Sequence, residues 1–242
     1  MLQCDRGRAI GLSSLGIVLF VLLAGSLFAQ ERGVIYSQHT PNMVDLNPDP
    51  DSPHWRDAPP VVTDADTVGR TFPAYRTEIR SRWDGQNLHI LYSCAADTIT
   101  LNPSPDRRIK THELYRWDIA ELMIGSDFAN IEIYAEFGAS AQEEWYDYLR
   151  GVPENRGGGF RWTTGFKVKG RIDRERKLWY LEMSIPLNML DPKHAPAAGN
   201  RFRVNFYRYQ YVDSRTLYLA WRPTGVEADF SIPKAFGILI LK

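Results

Sequence analysis

The chain has 242 residues, and its 29 lysines and arginines balance 29 aspartates and glutamates, so the formal net charge is zero. A neutral chain argues against nucleic-acid binding through a basic surface. Aromatic residues make up 12% of the sequence, with seven tryptophans and twelve tyrosines, which is more than a core alone usually needs.

Residues 1–29 have the pattern of a secretory signal peptide. Arg6 and Arg8 precede an apolar run over 10–28, and the small residue Ala29 follows it. A basic start, a short apolar core and a small residue at the boundary are typical of such signals. We therefore expect a secreted or periplasmic protein with no membrane segment after cleavage. An uncleaved membrane anchor is the alternative, because the run approaches the length that spans a bilayer.

The rest of the chain is interpreted as a lead-in and one domain. Residues 30–66 are rich in proline and aspartate, which favours an extended lead-in that Trp55 anchors to the core. Residues 67–242 are within the length range of a single all-β domain. Cys94 is the only cysteine left after signal removal, so stability depends on the core and not on an internal disulfide. Cys94 continues an apolar strand pattern, which predicts a buried, inert thiol.

Short strands separated by turns are predicted along the domain. The segments 78–83 and 88–95 flank an Asp-Gly-Gln-Asn turn, the signature of a hairpin. Residues 117–137 predict two more strands around the polar turn SDFAN, because apolar and polar residues alternate with a period of two. Residues 139–150 fit either a short helix or a bent strand.

The C-terminal half continues in the same way, and helix is almost absent. This pattern predicts an all-β fold, a two-sheet antiparallel β-sandwich with a jelly-roll or immunoglobulin-like arrangement. The later strands are predicted over 160–171, 178–185, 201–212, 217–221 and 237–241.

One stretch carries residues suited to a sugar. Trp117, Asp118 and Glu121 place an aromatic ring and two carboxylates within five positions. A ring can stack on the apolar C–H face of a sugar, and carboxylates accept hydrogen bonds from its hydroxyl rim. An ordinary strand end can carry the same residues. On the strand 201–212, Arg208 shares the inward parity of its apolar residues, which predicts a bulge or a paired, buried arginine.

The same strand has a second face that carries Tyr207, Tyr209 and Tyr211. These tyrosines are interpreted either as a binding platform or as a surface covered by loops.

The ordered set of predicted elements resembles the carbohydrate-binding module family 9-like proteins, a branch of the DOMON-like β-sandwich superfamily. The stretches that carry the resemblance are RWDGQNLHILYSC, WDIAELMIG, WYLEMSIPLNML, RFRVNFYR, and AWRPTG followed by FSIPKAFGILIL. The resemblance implies a non-catalytic module that holds a glycan or glycan chain end by aromatic stacking and polar contacts. It implies a polysaccharide or oligosaccharide as the partner. Such modules normally tether an enzyme to its polymer, but this chain has no room for a catalytic domain, so a glycoside hydrolase is expected only as a separate protein.

The resemblance also implies a set of site residues. Two tryptophans would stack on the two faces of a sugar, and the polar members would satisfy its hydroxyls. The implied set is Trp117, Asp118, Glu121, Asn205, Arg208 and Trp221.

Calcium is implied as a structural ion, and haem is a weaker alternative within the superfamily. Oxygen donors near turns are the candidates for calcium, namely Asp64, Asp66 and Asp97. Haem needs axial ligands of the histidine or methionine type, and the chain offers His89, His112, Met123 and Met183.

Two further classes of function stay open at this point. Glu132, Glu136, Glu143 and Glu144 could supply the carboxylate pair of a glycosidase. However, alternating glutamates on an exposed strand are usually a solvated face, and the sequence carries no HExxH, CxxC or GxSxG motif. The chain is therefore not expected to be an enzyme. The other class is a structural module of the cell envelope with a degenerate sugar site.

Overall fold

Strands dominate the computed structural model, which describes Met1, residues 33–41 and residues 45–242. Apart from Met1, the predicted signal peptide lies outside the described residues. The described residues from 33 onward form one compact unit. Its strands are β1 Val34–His39, β2 Val61–Thr63, β3 Thr77–Trp83, β4 Asn87–Ala95, β5 Ile119–Gly125, β6 Tyr134–Ser140, β7 Trp145–Arg150, β8 Lys167–Asp173, β9 Leu178–Pro186, β10 Arg201–Val212, β11 Arg215–Ala220 and β12 Gly237–Leu241.

The single α-helix of the described residues is α1, Leu187–Leu190, and it has four residues. The prediction of an all-β fold is therefore confirmed. The described part of the chain contains no helix with the length and apolar character needed to cross a bilayer.

The strands form one large, nearly closed mixed sheet in the order β7-β6-β5-β10-β12-β1-β3-β4-β9-β8, with β11 on β10 and β2 on β3. The expected two-sheet antiparallel sandwich is not confirmed, because β1 joins both halves of the sheet. Residues 34–37 of β1 pair with β12, and residues 38–39 pair with β3, in both cases in parallel. One strand of continuous backbone thus links two antiparallel regions.

The predicted hairpins are confirmed, and two segments differ from the sequence interpretation. The strands β3 and β4 pair around the 84–87 turn, and β5 pairs with β6. Residues 145–150 form the strand β7, so the helical alternative for this segment was wrong. The 30–66 segment, interpreted as an extended lead-in, contributes the two strands β1 and β2 to the sheet.

The core lies between the two halves of the sheet, where inward-facing residues alternate along each strand. Phe137 on β6 and Phe206 on β10 share this core with Trp179 on β9, and all three are fully buried. Cys94 is also buried and free, and burial raises the pKa of its thiol to about 11, as expected for an inert cysteine. Trp55 is fully buried, as expected of an anchor, but it packs with Ala58 and Leu91 in a small cluster separate from the main core.

Candidate functional site

A cleft of about 390 Å³ lies on the outer face of the sheet, over β5, β6, β7 and β10. This volume is within the range of small-molecule sites in proteins. We call it the tyrosine cleft, because four tyrosines line it. Its lining consists of Thr111, His112, Glu113, Leu114, Tyr115, Glu121, Met123, Glu136, Tyr146, Tyr148, Arg150, Phe160, Tyr209, Ala228, Asp229, Phe230 and Ser231.

The Glu121 side chain in the floor of the cleft is held by Tyr146, whose ring lies over Gly138. Gly138 on β6 lies between its two partners in the sheet, Glu121 on β5 and Tyr146 on β7. Because Gly138 has no side chain, the Tyr146 ring lies over it, and its hydroxyl donates a hydrogen bond of 2.5 Å to Glu121 Oε1. A Cβ atom at position 138 would lie only 2.2 Å from the Tyr146 ring. The glycine is therefore a requirement of the site.

The core supports the same residue from below. Tyr92 on β4 crosses the core from the opposite half of the sheet, and its hydroxyl donates to the Glu121 carbonyl oxygen at 2.8 Å. The Tyr92 ring meets Phe206 edge-on, with 6.1 Å between the ring centroids. The backbone of Glu121 is thus fixed by a buried contact, and its carboxylate position follows from the fold.

A second carboxylate in the floor forms an ion pair. Arg150 Nε lies 2.6 Å from Glu136 Oε1, and the guanidinium also lies over the Tyr148 ring, 4.7 Å from its centroid. Glu136 is 4% exposed. The sequence pattern predicted a solvated face for this glutamate, whereas the structure buries it in the cleft floor.

Burial controls the protonation of the two glutamates. Burial raises the pKa of Glu121 to about 8, and the nearby charge of Glu136 adds to this effect against the opposing Tyr146 hydrogen bond. Burial also raises the pKa of Glu136, although its contacts with Arg150 oppose the change. Glu121 is therefore mainly protonated at neutral pH and can donate or accept a hydrogen bond. Among the described residues, none makes a hydrogen bond with Glu121 Oε2, which is buried at the cleft floor.

One wall of the cleft is the segment 111–115, and Lys110 fixes it to the sheet. The Lys110 ammonium pairs with Asp147 Oδ1 and also donates to the carbonyl oxygens of Phe160 and Trp162. The Asp147 side chain is fully buried, so this pair is shielded from solvent. Next to it, the backbone N–H of Thr111 donates to the Trp145 carbonyl at 2.9 Å. These contacts hold the wall in place without a ligand.

The rim of this wall is an exposed aromatic ring. Tyr115 is 47% exposed, and its ring centroid lies 6.3 Å from that of Tyr209 on the floor. The Tyr211 hydroxyl donates to the Tyr115 carbonyl at 3.0 Å and holds its backbone. An exposed ring above a polar floor is the arrangement that a stacking ligand requires.

The opposite wall is the segment 228–231. The Phe230 ring stacks on Tyr207, with 4.1 Å between centroids and 18° between planes. The Tyr207 hydroxyl donates to the Phe230 carbonyl at 3.0 Å, and Asn205 Nδ2 donates to that hydroxyl at 2.8 Å. The sheet therefore positions both walls through chains of hydrogen bonds.

Of the six residues implied by the resemblance, Glu121 lines the tyrosine cleft. Asn205 is buried beneath the 228–231 wall, where it holds Tyr207 as described above. Asp118 is fully buried and accepts hydrogen bonds from the backbone of Tyr211 and from the Gln210 amide. Asp118 thus holds Tyr211, which supports the 111–115 wall, and Asn205 holds Tyr207, which supports the 228–231 wall.

Arg208 faces inward, as its parity predicted. It is 1% exposed and donates to the carbonyl oxygens of Tyr75 and Ala95 and to the Thr77 hydroxyl. Its guanidinium also lies over the Trp179 ring, 5.3 Å from the centroid. The buried arginine is therefore satisfied mainly by neutral oxygen atoms.

The two tryptophans lie apart from the cleft lining. Trp117 is half-buried directly after the 3₁₀ turn Leu114–Arg116, and its N–H donates to the Leu114 carbonyl. Trp221 is half-buried against the core, where it meets Phe206 edge-on at 5.4 Å. A stacking role for Trp117 and Trp221 stays a prediction.

The candidate metal and haem ligands are dispersed over the described residues. The Asp66 carboxylate accepts from Arg70 and from the Val68 N–H, and Asp97 pairs with Lys177. Within the described residues, no group of three His, Cys, Asp or Glu side chains is placed to hold a metal ion. Calcium binding stays a prediction.

The four haem candidates lie at three different places. His89 is buried beside Asp84, with 3.0 Å between Nε2 and Oδ2, and Met183 belongs to the core. His112 and Met123 both line the tyrosine cleft. Haem binding likewise stays a prediction.

Sequence reasoning missed most of the cleft. Tyr115, Tyr146, Tyr148 and Arg150 line it, and none of them was in the predicted set. The last three alternate along residues 146–150, which is the period of a strand with one face toward a site. That signal could have been found once the helical alternative for 139–150 was rejected.

The molecule is thus an all-β module with an aromatic, acid-lined cleft on one face of its sheet. No protein-family model matches the sequence, and no curated protein matches it. Its fold is like that of carbohydrate-binding modules of family 9, and the assignment to the DOMON-like superfamily stays a prediction.

Two solved structures of a family 9 module from Caldicellulosiruptor kristjanssonii, in complex with cellotriose and with glucose, are both similar to the chain. Each has a TM-score of 0.59 at 14% identity and covers 86% of this chain, with 93% and 95% of the module covered. A candidate carbohydrate-binding protein from Bacteroides uniformis ATCC 8492 has a TM-score of 0.63 at 16% identity, over 86% of this chain and 99% of that one. At these identities the likeness establishes the fold.

Proposed function

We propose that this protein is a non-catalytic carbohydrate-binding module that holds a glycan or glycan chain end in the tyrosine cleft. The observation that carries the proposal is the cleft itself, in which the exposed Tyr115 ring lies above buried hydrogen-bonding groups. Similar folds have been solved with cellotriose and glucose, which supports a sugar as the ligand.

The cleft matches the two surfaces of a sugar. The rings of Tyr115 and Tyr209 supply apolar area for the C–H face, and Glu121, Glu136 and Arg150 offer acceptors and donors for the hydroxyl rim. Each stacking or hydrogen-bonding contact contributes on the order of 1 kcal/mol, so several must act together for useful affinity. The walls are held by internal hydrogen bonds, so little ordering is needed on binding, which favours affinity.

The remaining parts of the proposal come from the sequence. The signal-peptide pattern of residues 1–29 supports secretion or a periplasmic location, and a glycoside hydrolase is the enzyme that such a module would assist. Calcium is proposed as a structural ion. Trp117 and Trp221 are proposed as a second stacking pair, and Asp118, Asn205 and Arg208 as the polar residues that support the site.

A titration of the mature protein with a glycan panel, followed by calorimetry on the best ligand, tests the proposal. Tyr115→Ala and Glu121→Leu, which removes the hydrogen-bonding carboxyl, are each expected to weaken binding about fivefold, the loss of one contact of about 1 kcal/mol. The matched control is Phe128→Ala, because Phe128 is also 47% exposed but lies on the β5–β6 turn outside the cleft lining. The same panel is run on Trp117→Ala and Trp221→Ala.

Three outcomes contradict parts of the proposal. Binding that survives in the cleft variants but is lost in the tryptophan variants moves the site to the predicted pair. Release of new reducing ends during the titration contradicts a non-catalytic role. Absence of binding to every glycan favours a structural envelope module.

A further inference from the structure

The acidic groups of the tyrosine cleft outnumber its cationic groups. Four carboxylates line it, and two of them are paired. Arg150 pairs with Glu136, and Arg116 pairs with Glu113 at 2.7 Å on the rim. Among the described residues, neither Glu121 nor Asp229 has a cationic partner within ion-pair distance.

Glu121 has an unused oxygen at the floor of the cleft. The side chain is 2% exposed, Oε1 accepts from Tyr146, and Oε2 is buried without a hydrogen-bond partner among the described residues. Because burial disfavours the charged form, the free carboxyl keeps its proton, and an ammonium group beside Oε2 would displace that proton and pair with the carboxylate. A hydroxyl group would satisfy the hydrogen bond, whereas an ammonium group would satisfy both the hydrogen bond and the charge.

The aromatic residues at this end of the cleft also favour a cation. The Tyr209 ring lies 4.9 Å from Phe230 and 6.3 Å from Tyr115, between centroids, so rings from the floor and both walls come together. The face of an aromatic ring attracts an ammonium group, and the attraction is stronger when water is excluded. Asp229, on the same wall as Phe230, adds a negative charge at the rim.

We propose that the tyrosine cleft selects a glycan that carries a free amino group, such as a β-1,4-linked glucosamine unit, with Glu121 as the residue that receives the ammonium. This inference rests on the proposed function, because it assumes that the cleft holds a sugar. It predicts that N-acetylated glycans, which have no charge, bind less tightly. Glycans with carboxylate groups are expected to be repelled.

Three disaccharides that differ only at carbon 2 test the inference by calorimetry on the full mature chain. They are the glucosamine disaccharide, its N-acetylated form and cellobiose, compared at about pH 6, where an amine with a pKa of about 8 is charged. We expect the glucosamine disaccharide to bind at least tenfold more tightly than the other two. Because the Glu121 carboxyl is protonated in the free protein at this pH, binding of the amine is expected to release a proton. The heat of binding then depends on the ionisation enthalpy of the buffer.

Two variants identify the residue responsible. Glu121→Gln is nearly isosteric with the protonated side chain, and it is expected to reduce the preference for the amine to about twofold and to abolish proton release. Asp229→Asn, on the rim, is expected to reduce the preference without removing proton release. A full amine preference that persists in Glu121→Gln overturns the assignment.

The outcome with wild-type protein separates this inference from the proposed function. If cellobiose binds as tightly as the amine, the inference is wrong and sugar binding in the cleft stands. If none of the three disaccharides nor any glycan of the panel binds, the proposed function fails as well.

Discussion

Replacing Gly138 with alanine is expected to disrupt the cleft floor. A Cβ atom at this position would lie 2.2 Å from Tyr146 Cε1 and 2.8 Å from its hydroxyl oxygen. Carbon atoms in contact are normally about 3.5 Å apart, so the ring would have to move by about 1 Å or more. That movement breaks the 2.5 Å hydrogen bond between Tyr146 and Glu121.

The magnitude follows from three contributions. Overpacking a well-filled site destabilises by about 1–3 kcal/mol. Leaving Glu121 Oε1 without its donor adds about 1–3 kcal/mol. Alanine in a strand returns about 0.5–1 kcal/mol relative to glycine. The expected net loss in the free energy of unfolding is therefore about 3 kcal/mol.

Urea denaturation of four proteins measures this loss: wild type, Gly138→Ala, Tyr146→Ala and the double variant. Without the Tyr146 ring there is no clash, so Gly138→Ala is expected to be neutral or to stabilise by up to about 1 kcal/mol in that background. The change of sign is the test. An equal loss of about 3 kcal/mol in both backgrounds would show that the glycine acts through the backbone and not through the ring.

Three other predictions concern protonation, the cleft wall and the cofactors. Because burial in the folded protein raises the pKa of Glu121 to about 8 from its ordinary value of 4.5, its contribution to stability is present below pH 4.5 and is lost as pH rises through 8. Glu121→Gln should flatten this fall in a pH series of melting curves, and an unchanged slope would contradict it. Lys110→Met is expected to lower the free energy of unfolding by about 3–5 kcal/mol, because it leaves the Asp147 carboxylate buried without its ion-pair partner. The control Lys169→Met removes an exposed ion pair and is expected to lower it by less than about 1 kcal/mol. Similar melting temperatures for the two variants would refute this prediction. If the protein binds calcium, EDTA is expected to lower the melting temperature and added calcium to restore it. A Soret band in the visible spectrum would support the haem alternative.

The periodic parts of the sequence predicted the fold well. The hairpin around residues 84–87 and the β5–β6 pair were read from alternation and turn residues, which are local signals. The sequence did not predict that β1 joins the two halves of the sheet, because its pairing partners β12 and β3 are distant in the chain and leave no local signature. The same distance explains why a two-sheet sandwich was expected where one mixed sheet is observed.

The site was only partly predictable, because a cleft depends on which strands become neighbours. Glu121 was identified from its position beside Trp117, but Tyr115 was passed over although it lies only two residues earlier. The importance of Gly138 follows from a contact with Tyr146 on the next strand, and sequence alone does not place a ring over a particular residue. Glu136 was interpreted as solvated because strand alternation shows which face is outward, and not what covers that face.

A crystal structure of the mature protein with a β-1,4-linked oligosaccharide, either of glucose or of glucosamine units, tests the central claim most directly. We expect a sugar ring stacked on Tyr115 with a polar group within hydrogen-bond distance of Glu121 Oε2. Sugar bound elsewhere on the protein, with the tyrosine cleft empty at saturating ligand, would contradict the account.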